Sequence, residues 1–328
     1  MYGTGTKKML NILILDILKR YTDMDHRITQ QEILRILKRE YDMDCDRRSV
    51  RANIESLKEM GYEIATEGGY SLVGREFDDA ELRMLIDSVL FSRNLSKAQS
   101  KALIEKLKGL GSMYFSAKVS HVSSLPDLMH TDNAQAIYAV DALNEAIDKK
   151  KQVEFIYNSY GTDFKLHPRR EEPYLVNPYQ LVANNGRYYL IGNYDKYDNV
   201  SHYRLDRMTS IRMLDSKAKP MKQVQGLEKG LNLPKHMAEH IYMFSGDSVD
   251  VIMRAESHLM SELVDWFGKN FRILEKNEDY LTIRVTCNEG AMHFWALQYG
   301  PYVEILSPEG LRETIKRDIA GMVKKYDQ

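Results

Sequence analysis

Cysteine is scarce: Cys45 and Cys287 are the only two in 328 residues. They lie far apart, without a CxxC spacing or a neighbouring His pair. That excludes a disulfide framework, gives no support for a structural zinc, and suits a reducing compartment. The nine histidines show no ligand spacing either, so no metal site and no cofactor is expected. GxSxG, P-loop, HExxH and dinucleotide-binding fingerprints are all missing, which argues against an enzyme. Paired carboxylates such as Asp78-Asp79 sit at a helix start and read as caps. No run approaches the roughly 20 apolar residues of a membrane span, and Met1–Lys8 lacks an apolar signal core. A cytoplasmic protein with no membrane partner is the expectation. A net charge of −1 with 28% charged residues excludes a uniformly basic nucleic-acid coat, so any such affinity must come from a local patch.

What is present is most legible between Asn184 and Leu214. Asn185-Gly186 is a strong hairpin signal, because both residues tolerate the positive φ of a two-residue turn. Tyr179–Ala183 reads as the strand before it and Arg187–Tyr194 as the strand after it. His202–Leu205 alternates: Tyr203 and Leu205 point one way, while His202, Arg204 and Asp206 point the other. Upstream, Gln152–Asn158 places Val153, Phe155 and Tyr157 on one face. Gly161 turns the chain and Lys165–Pro168 returns it, followed by Arg169 and Arg170. Pro173 and Pro178 restrict the next segment to edges and turns.

Tyr188-Tyr189-Leu190, followed by Tyr203-Arg204-Leu205-Asp206-Arg207, resembles the WYL domain, named for a Trp-Tyr-Leu triplet and continuing into Arg-Leu-Asp-Arg. Tyr188 here replaces the Trp. The resemblance implies a small Sm-like or SH3-like β-barrel over residues 149–217. It would bind a nucleotide or single-stranded nucleic-acid effector and control an attached module. Carried onto this chain, it points to Arg204 and Arg207 as ligand residues. Tyr189 belongs to the matched triplet, and His202 shares the alternation face of Arg204. Tyr157, Arg169 and Arg170 are added because guanidinium forks bind phosphate and aromatic rings stack on bases. The alternative is that Arg204 pairs with Asp206 or another carboxylate within the fold.

In residues 1–74 three amphipathic helices are expected. The first carries Leu10, Leu13, Ile14, Ile17 and Leu18. Thr29 and Glu32 form a capping box for the second, and Asp46 caps a third that buries Val50, Ile54 and Leu57. At about 100° per residue, Arg48 and Arg51 fall opposite that stripe, with Arg47 and Lys58 at its flanks. Gly68-Gly69 then centres a short hairpin. This order resembles the winged helix-turn-helix of bacterial transcriptional regulators, in which the third helix enters the major groove of duplex DNA. Thr29, Gln30, Arg47, Arg48, Ser49, Arg51 and Lys58 are the candidate DNA-binding residues; Asp42, Asp44 and Asp46 just upstream would weaken nonspecific binding.

Residues 75–148 read as a helical connector, with helices through Glu81–Leu90, Ser96–Leu107 and Asn133–Asp148 and a Ser-rich loop over Ser116–His130. It either dimerises or packs onto the barrel. Residues 218–328 follow a strand, helix, strand, strand, helix, strand order, that of a ferredoxin-like plait. Asp265-Trp266-Phe267-Gly268 and Phe294-Trp295 resemble the WCX extension of WYL proteins, both Trp rings being read as core. The expected class is therefore multidomain α+β. A homodimeric, ligand-responsive regulator leads among functions. A nucleic-acid-binding accessory to a separate effector enzyme is the alternative.

Overall fold

The computed structural model describes residues 9–119, 133 and 136–327. The chain divides into two compact units, Met1–Ala134 and Gln135–Gln328. Met1–Lys8 and most of the expected Ser-rich loop lie outside the described residues.

The first unit begins with α1 (Leu10–Tyr21), α2 (Gln30–Tyr41) and α3 (Arg47–Glu59). Each buries its apolar stripe: Leu10, Ile14, Ile17 and Leu18 from α1, Ile33, Ile36 and Leu37 from α2, Val50, Ile54 and Leu57 from α3. Fully burying one such side chain contributes about 1.5–3 kcal/mol. The starts of α2 and α3 follow from their caps. Thr29 accepts from the Glu32 N–H while the Glu32 carboxylate accepts from that of Thr29, and Asp46 accepts from the Ser49 N–H. β1 (Ile64–Ala65) and β2 (Ser71–Leu72) then pair antiparallel, and Tyr70 also bridges to Ile28. Gly69 sits at φ 131°, where an L side chain is strained, and a Cβ there would press to 3.1 Å from the Ile28 carbonyl oxygen.

α4 (Asp79–Phe91), α5 (Lys97–Lys108) and α6 (Met113–Lys118) share a separate small core around Leu82, Ile86, Ile104 and Phe115. Asp78 and Ser96 cap α4 and α5 through full capping boxes; of the pair read as caps, Asp78 takes that role and Asp79 is the first residue of the helix. Ser116 to Lys118, read as the start of a loop, instead finish α6, whose Ser112 cap accepts from the Phe115 N–H.

In the second unit, α7 (Ala136–Asp148) packs Ala139, Leu143 and Ala146 against a curled six-stranded sheet. Its strands are β3 (Lys151–Tyr160), β4 (Leu166–Pro168), β5 (Tyr174–Asn184), β6 (Arg187–Tyr194), β7 (Val200–Arg204) and β8 (Met208–Lys217). The order is β4-β3-β5-β6-β7, with β8 also paired to β3, so the sheet wraps around Val153, Phe155 and Tyr157. Asn185 and Gly186, at φ 49° and 72°, make the β5–β6 turn, as expected. Pro178 lies inside β5, but at a stretch of it that is an edge, as the ring requires. The sheet admits it because β3 pairs only with Tyr174–Val176, and the β5–β6 register shifts between Pro178 and Gln180.

After α8 (Leu233–Glu239) come β9 (Ser248–Glu256), α9 (Met260–Phe267), β10 (Phe271–Lys276), β11 (Tyr280–Asn288), α10 (Glu289–Gln298), β12 (Val303–Ser307) and α11 (Glu309–Tyr326). The four strands form an antiparallel sheet in the order β10-β11-β9-β12. Trp295 is fully buried against Phe267, and Trp266 packs at the edge of the same core, its Nε1–H donating to Tyr299 Oη at 3.0 Å.

Candidate functional site: a basic, aromatic cavity on the curled sheet

The alternation expected across His202–Asp206 holds only to Arg204, where β7 ends; Leu205–Arg207 then coil into one 3-10 turn. Asp206 therefore does not share a charged strand face with Arg204. It is 2% exposed, and its carboxylate accepts from Arg204 Nε and Nη2 at 3.0 and 2.6 Å and from Arg187 Nη1 at 2.9 Å. A carboxylate so far from water needs that much compensation. Burial opposes the charge on Arg204, but the Asp206 hydrogen bonds outweigh it and raise the guanidinium pKa. The Arg204 backbone N–H donates to Tyr157 Oη at 3.1 Å. Arg204 is thus held as the internal ion pair requires, and it also faces a cavity.

That cavity, of about 490 Å³, lies between β7, the 3-10 turn and the segment 242–245. Arg169, Arg204 and Arg207 supply its cations; Tyr157, Tyr189 and Phe244 are among its rings. The Arg169 guanidinium sits 5.1 Å from the Tyr157 ring centroid, within cation–π range. Arg207 Nε is closed to solvent and has no hydrogen-bond partner among the described residues. An unmade bond to a buried charged donor is costly, and an anion entering the cavity would make it. His202 forms part of the same wall.

Arg170 does not join them. Its guanidinium lies 3.6 Å over the Tyr174 ring, donates to Tyr194 Oη at 2.6 Å, and donates to the carbonyls of Glu172 and Pro173. Each of its three nitrogens donates within the fold, which the sequence position beside Arg169 could not reveal. A larger cavity, about 740 Å³, is lined by Ile147, Pro178, Tyr179 and Met221 together with four lysines and Glu228. It lacks the forked donors and stacked rings of the smaller one, which is the better anion site.

One constellation went unread in the sequence. His236 and His240 sit one turn apart along and just beyond α8, and His202 of β7 meets them. Ring centroids are 4.1–5.1 Å apart, and the Nε2 atoms of His202 and His236 are 2.8 Å apart. Burial, together with the other two imidazoles, pushes His202 down to about 2; burial and His240 push His236 to about 4. Burial lowers His240 as well. All three rings are therefore neutral near pH 7. The sequence signal was the His-x3-His spacing at 236–240, but its strand partner lies 34 residues upstream.

Residues 138–213 match the family model of the WYL domain, and residues 247–323 match that of the WCX domain. The chain carries a WYL domain and a WCX domain. The WYL match begins within α7 and runs through β8, so the cavity arginines all belong to it. The segment 242–245 that closes the cavity precedes the WCX match. Among curated proteins the chain is similar to the uncharacterized HTH-type transcriptional regulator YobV of Bacillus subtilis (strain 168), 21% identical over 199 residues. That alignment spans 60% of this chain and 58% of the relative, less than two thirds of its length. Two solved structures are also similar. One is proteasome accessory factor B/C of Arthrobacter aurescens, with TM-score 0.29 and 15% identity over 100% of this chain and 50% of that one. The other is a CRISPR Cas-related protein, with TM-score 0.40 and 13% identity over 98% of this chain and 84% of that one. TM-scores this low fix neither architecture nor activity.

In the first unit, Arg47, Arg48, Arg51 and Lys58 stand exposed on α3, and Lys58 lies 3.4 Å from Glu55. The three arginines meet no carboxylate among the described residues. Ser49 is half-buried, its N–H held by Asp46. Thr29 is spent in the capping box, its hydroxyl also donating to Glu32 at 2.8 Å, and the Gln30 amide donates to the Arg47 carbonyl. Gln30 thereby braces α2 against α3, while the three arginines stay exposed on that face.

Proposed function

We propose that this WYL-domain protein is a homodimeric transcriptional regulator whose cavity senses an anionic, nucleotide-like or single-stranded nucleic-acid ligand. The observation that carries the ligand reading is Arg207. Its buried Nε has no hydrogen-bond partner among the described residues, and it stands beside Arg169, Arg204 and two stackable tyrosines. Guanidinium forks match phosphate and aromatic faces match bases. We read residues 1–74 as a winged helix-turn-helix, with α3 as the recognition helix and the Gly68-Gly69 hairpin as the wing. Exposed arginines opposite a buried stripe, close-packed helices and the regulator name of the Bacillus relative support that reading. Residues 75–148 are the connector, 149–217 the sensor barrel, and 218–328 a plait whose strand order is that of the ferredoxin-like fold.

The test is to select duplexes from a random library with the full chain, then measure operator affinity with and without short oligonucleotides or nucleotides. A selected sequence whose affinity shifts with one such anion is the expected result. Failure to enrich any duplex would overturn the regulator reading. Light scattering should give a dimer mass, as two half-sites require two readers; a monomer with and without DNA would remove the dimer.

A further inference from the structure

We propose that His202, His236 and His240 form a three-histidine site for a borderline first-row transition-metal ion of the Zn2+ class. This goes beyond the ligand cavity, because it concerns a different ligand chemistry on the cavity wall. Three imidazole nitrogens are the donor set of such ions and a poor one for Mg2+ or Ca2+, which take oxygen.

The geometry points to ligation over a purely structural cluster in three ways. The candidate nitrogens all lie within 4.8 Å of one another, with one pair at 2.8 Å. That range brackets the roughly 3.3 Å between neighbouring ligands of a tetrahedral site with Zn–N bonds near 2.0–2.1 Å. The His240 Nδ1 lies 2.9 Å from the His236 carbonyl, and a carbonyl only accepts, so the proton is on Nδ1 and the Nε2 lone pair is left for the metal. A metal-binding His is commonly oriented by such a bond from its other nitrogen. Finally, His202 Nδ1 is closed to solvent without a hydrogen-bond partner among the described residues. In a metal-free cluster the proton can sit on either nitrogen, and with it on Nε2 that buried Nδ1 is left bare. With Nε2 on a metal, Nδ1 carries the proton toward the Phe244 backbone, which already favours the protonated ring.

Three protein nitrogens leave a coordination position for water or an anion. The site also links β7 to α8, and the His202 N–H donates to Ser245 Oγ at 3.3 Å, next to the segment that closes the cavity. Metal occupancy would therefore order one wall of the anion cavity.

The experiment uses the full chain, stripped with EDTA and dialysed. Zn2+ is titrated against a chromophoric chelator, and Co2+ is followed by visible absorption. One equivalent of Zn2+ per chain is expected, undisturbed by Mg2+. Co2+ should give the strong d–d bands of a four-coordinate site. His236→Ala combined with His240→Ala should abolish both, whereas His258→Ala combined with His293→Ala should leave them. Binding that survives the first double variant would overturn the proposal, as would a stripped chain that takes up no stoichiometric Zn2+. If the first variant does not fold, the Co2+ spectrum of the unaltered chain decides: weak, water-like bands overturn the site.

Discussion

Replacing Asp206 by Ala removes a carboxylate that holds both Arg187 and Arg204, and the loss can be sized from its surroundings. The Asp206 side chain is 3% exposed, and those of Arg187 and Arg204 are 20% and 19% exposed. Truncating it leaves two guanidiniums largely out of water with three hydrogen bonds unmade. Breaking a buried pair from one side costs about 3–5 kcal/mol. For a body of this size 1 kcal/mol moves the midpoint by roughly 2–4 °C, so Asp206→Ala should lower the melting temperature of the second unit by about 6–20 °C. Arg204→Ala leaves Asp206 paired with Arg187 and should cost less, about 1.5–3 kcal/mol for the lost charged hydrogen bonds. Thermal unfolding of wild type, both single variants and Arg187→Ala, followed by circular dichroism, gives the comparison. An Asp206→Ala midpoint within a degree or two of wild type would refute the reasoning and make Arg204 a ligand residue alone.

Arg48→Ala combined with Arg51→Ala should abolish specific duplex binding without unfolding. Each lost base-edge contact costs about 1–3 kcal/mol, and lost phosphate contacts flatten the salt dependence; anisotropy titrations at several salt concentrations check both. Glu40 contributes to the pH dependence of the first unit. Burial opposes its charge, but hydrogen bonds from Tyr21, Arg39 and Arg20 hold its carboxyl at about 2, well below the usual carboxylate range. A depressed carboxylate contributes stability above its unfolded value, lost as pH falls from the usual carboxylate range toward 2. Glu40→Gln should be less stable than wild type at pH 7 and lose less on acidification, as read by denaturant melts between pH 7 and 3.

Much of the architecture was legible because it rests on local rules. Asn185-Gly186 fixed a hairpin through φ, Thr29 with Glu32 and the Asp78-Asp79 pair announced helix starts, alternation gave β3, and aromatic and β-branched content gave β6. What stayed hidden depends on long-range partners. Asp206 reads as one more residue of an alternating strand until Arg187, 19 positions earlier, is brought against it. Arg170 looks like Arg169 until Tyr174 and Tyr194 claim its guanidinium. Pro178 reads as an edge or turn residue, but the sequence does not tell which edge of β5 lacks a neighbour. The histidine cluster needs α8, whose Asn232 cap and Pro234 lie in a stretch without a strong apolar period, and a strand residue brought from afar.

The central claim is that an anion sits against Arg207 in the WYL cavity. The measurement that tests it most directly is an equilibrium titration of a labelled short single-stranded oligonucleotide, alongside free nucleotides, against wild type and Arg207→Ala. The account predicts saturable, salt-sensitive binding by wild type, weakened at least tenfold by the substitution, about 1.4 kcal/mol or more, with the fold unchanged. Equal affinity for the two proteins, or no saturable binding by wild type, would contradict it.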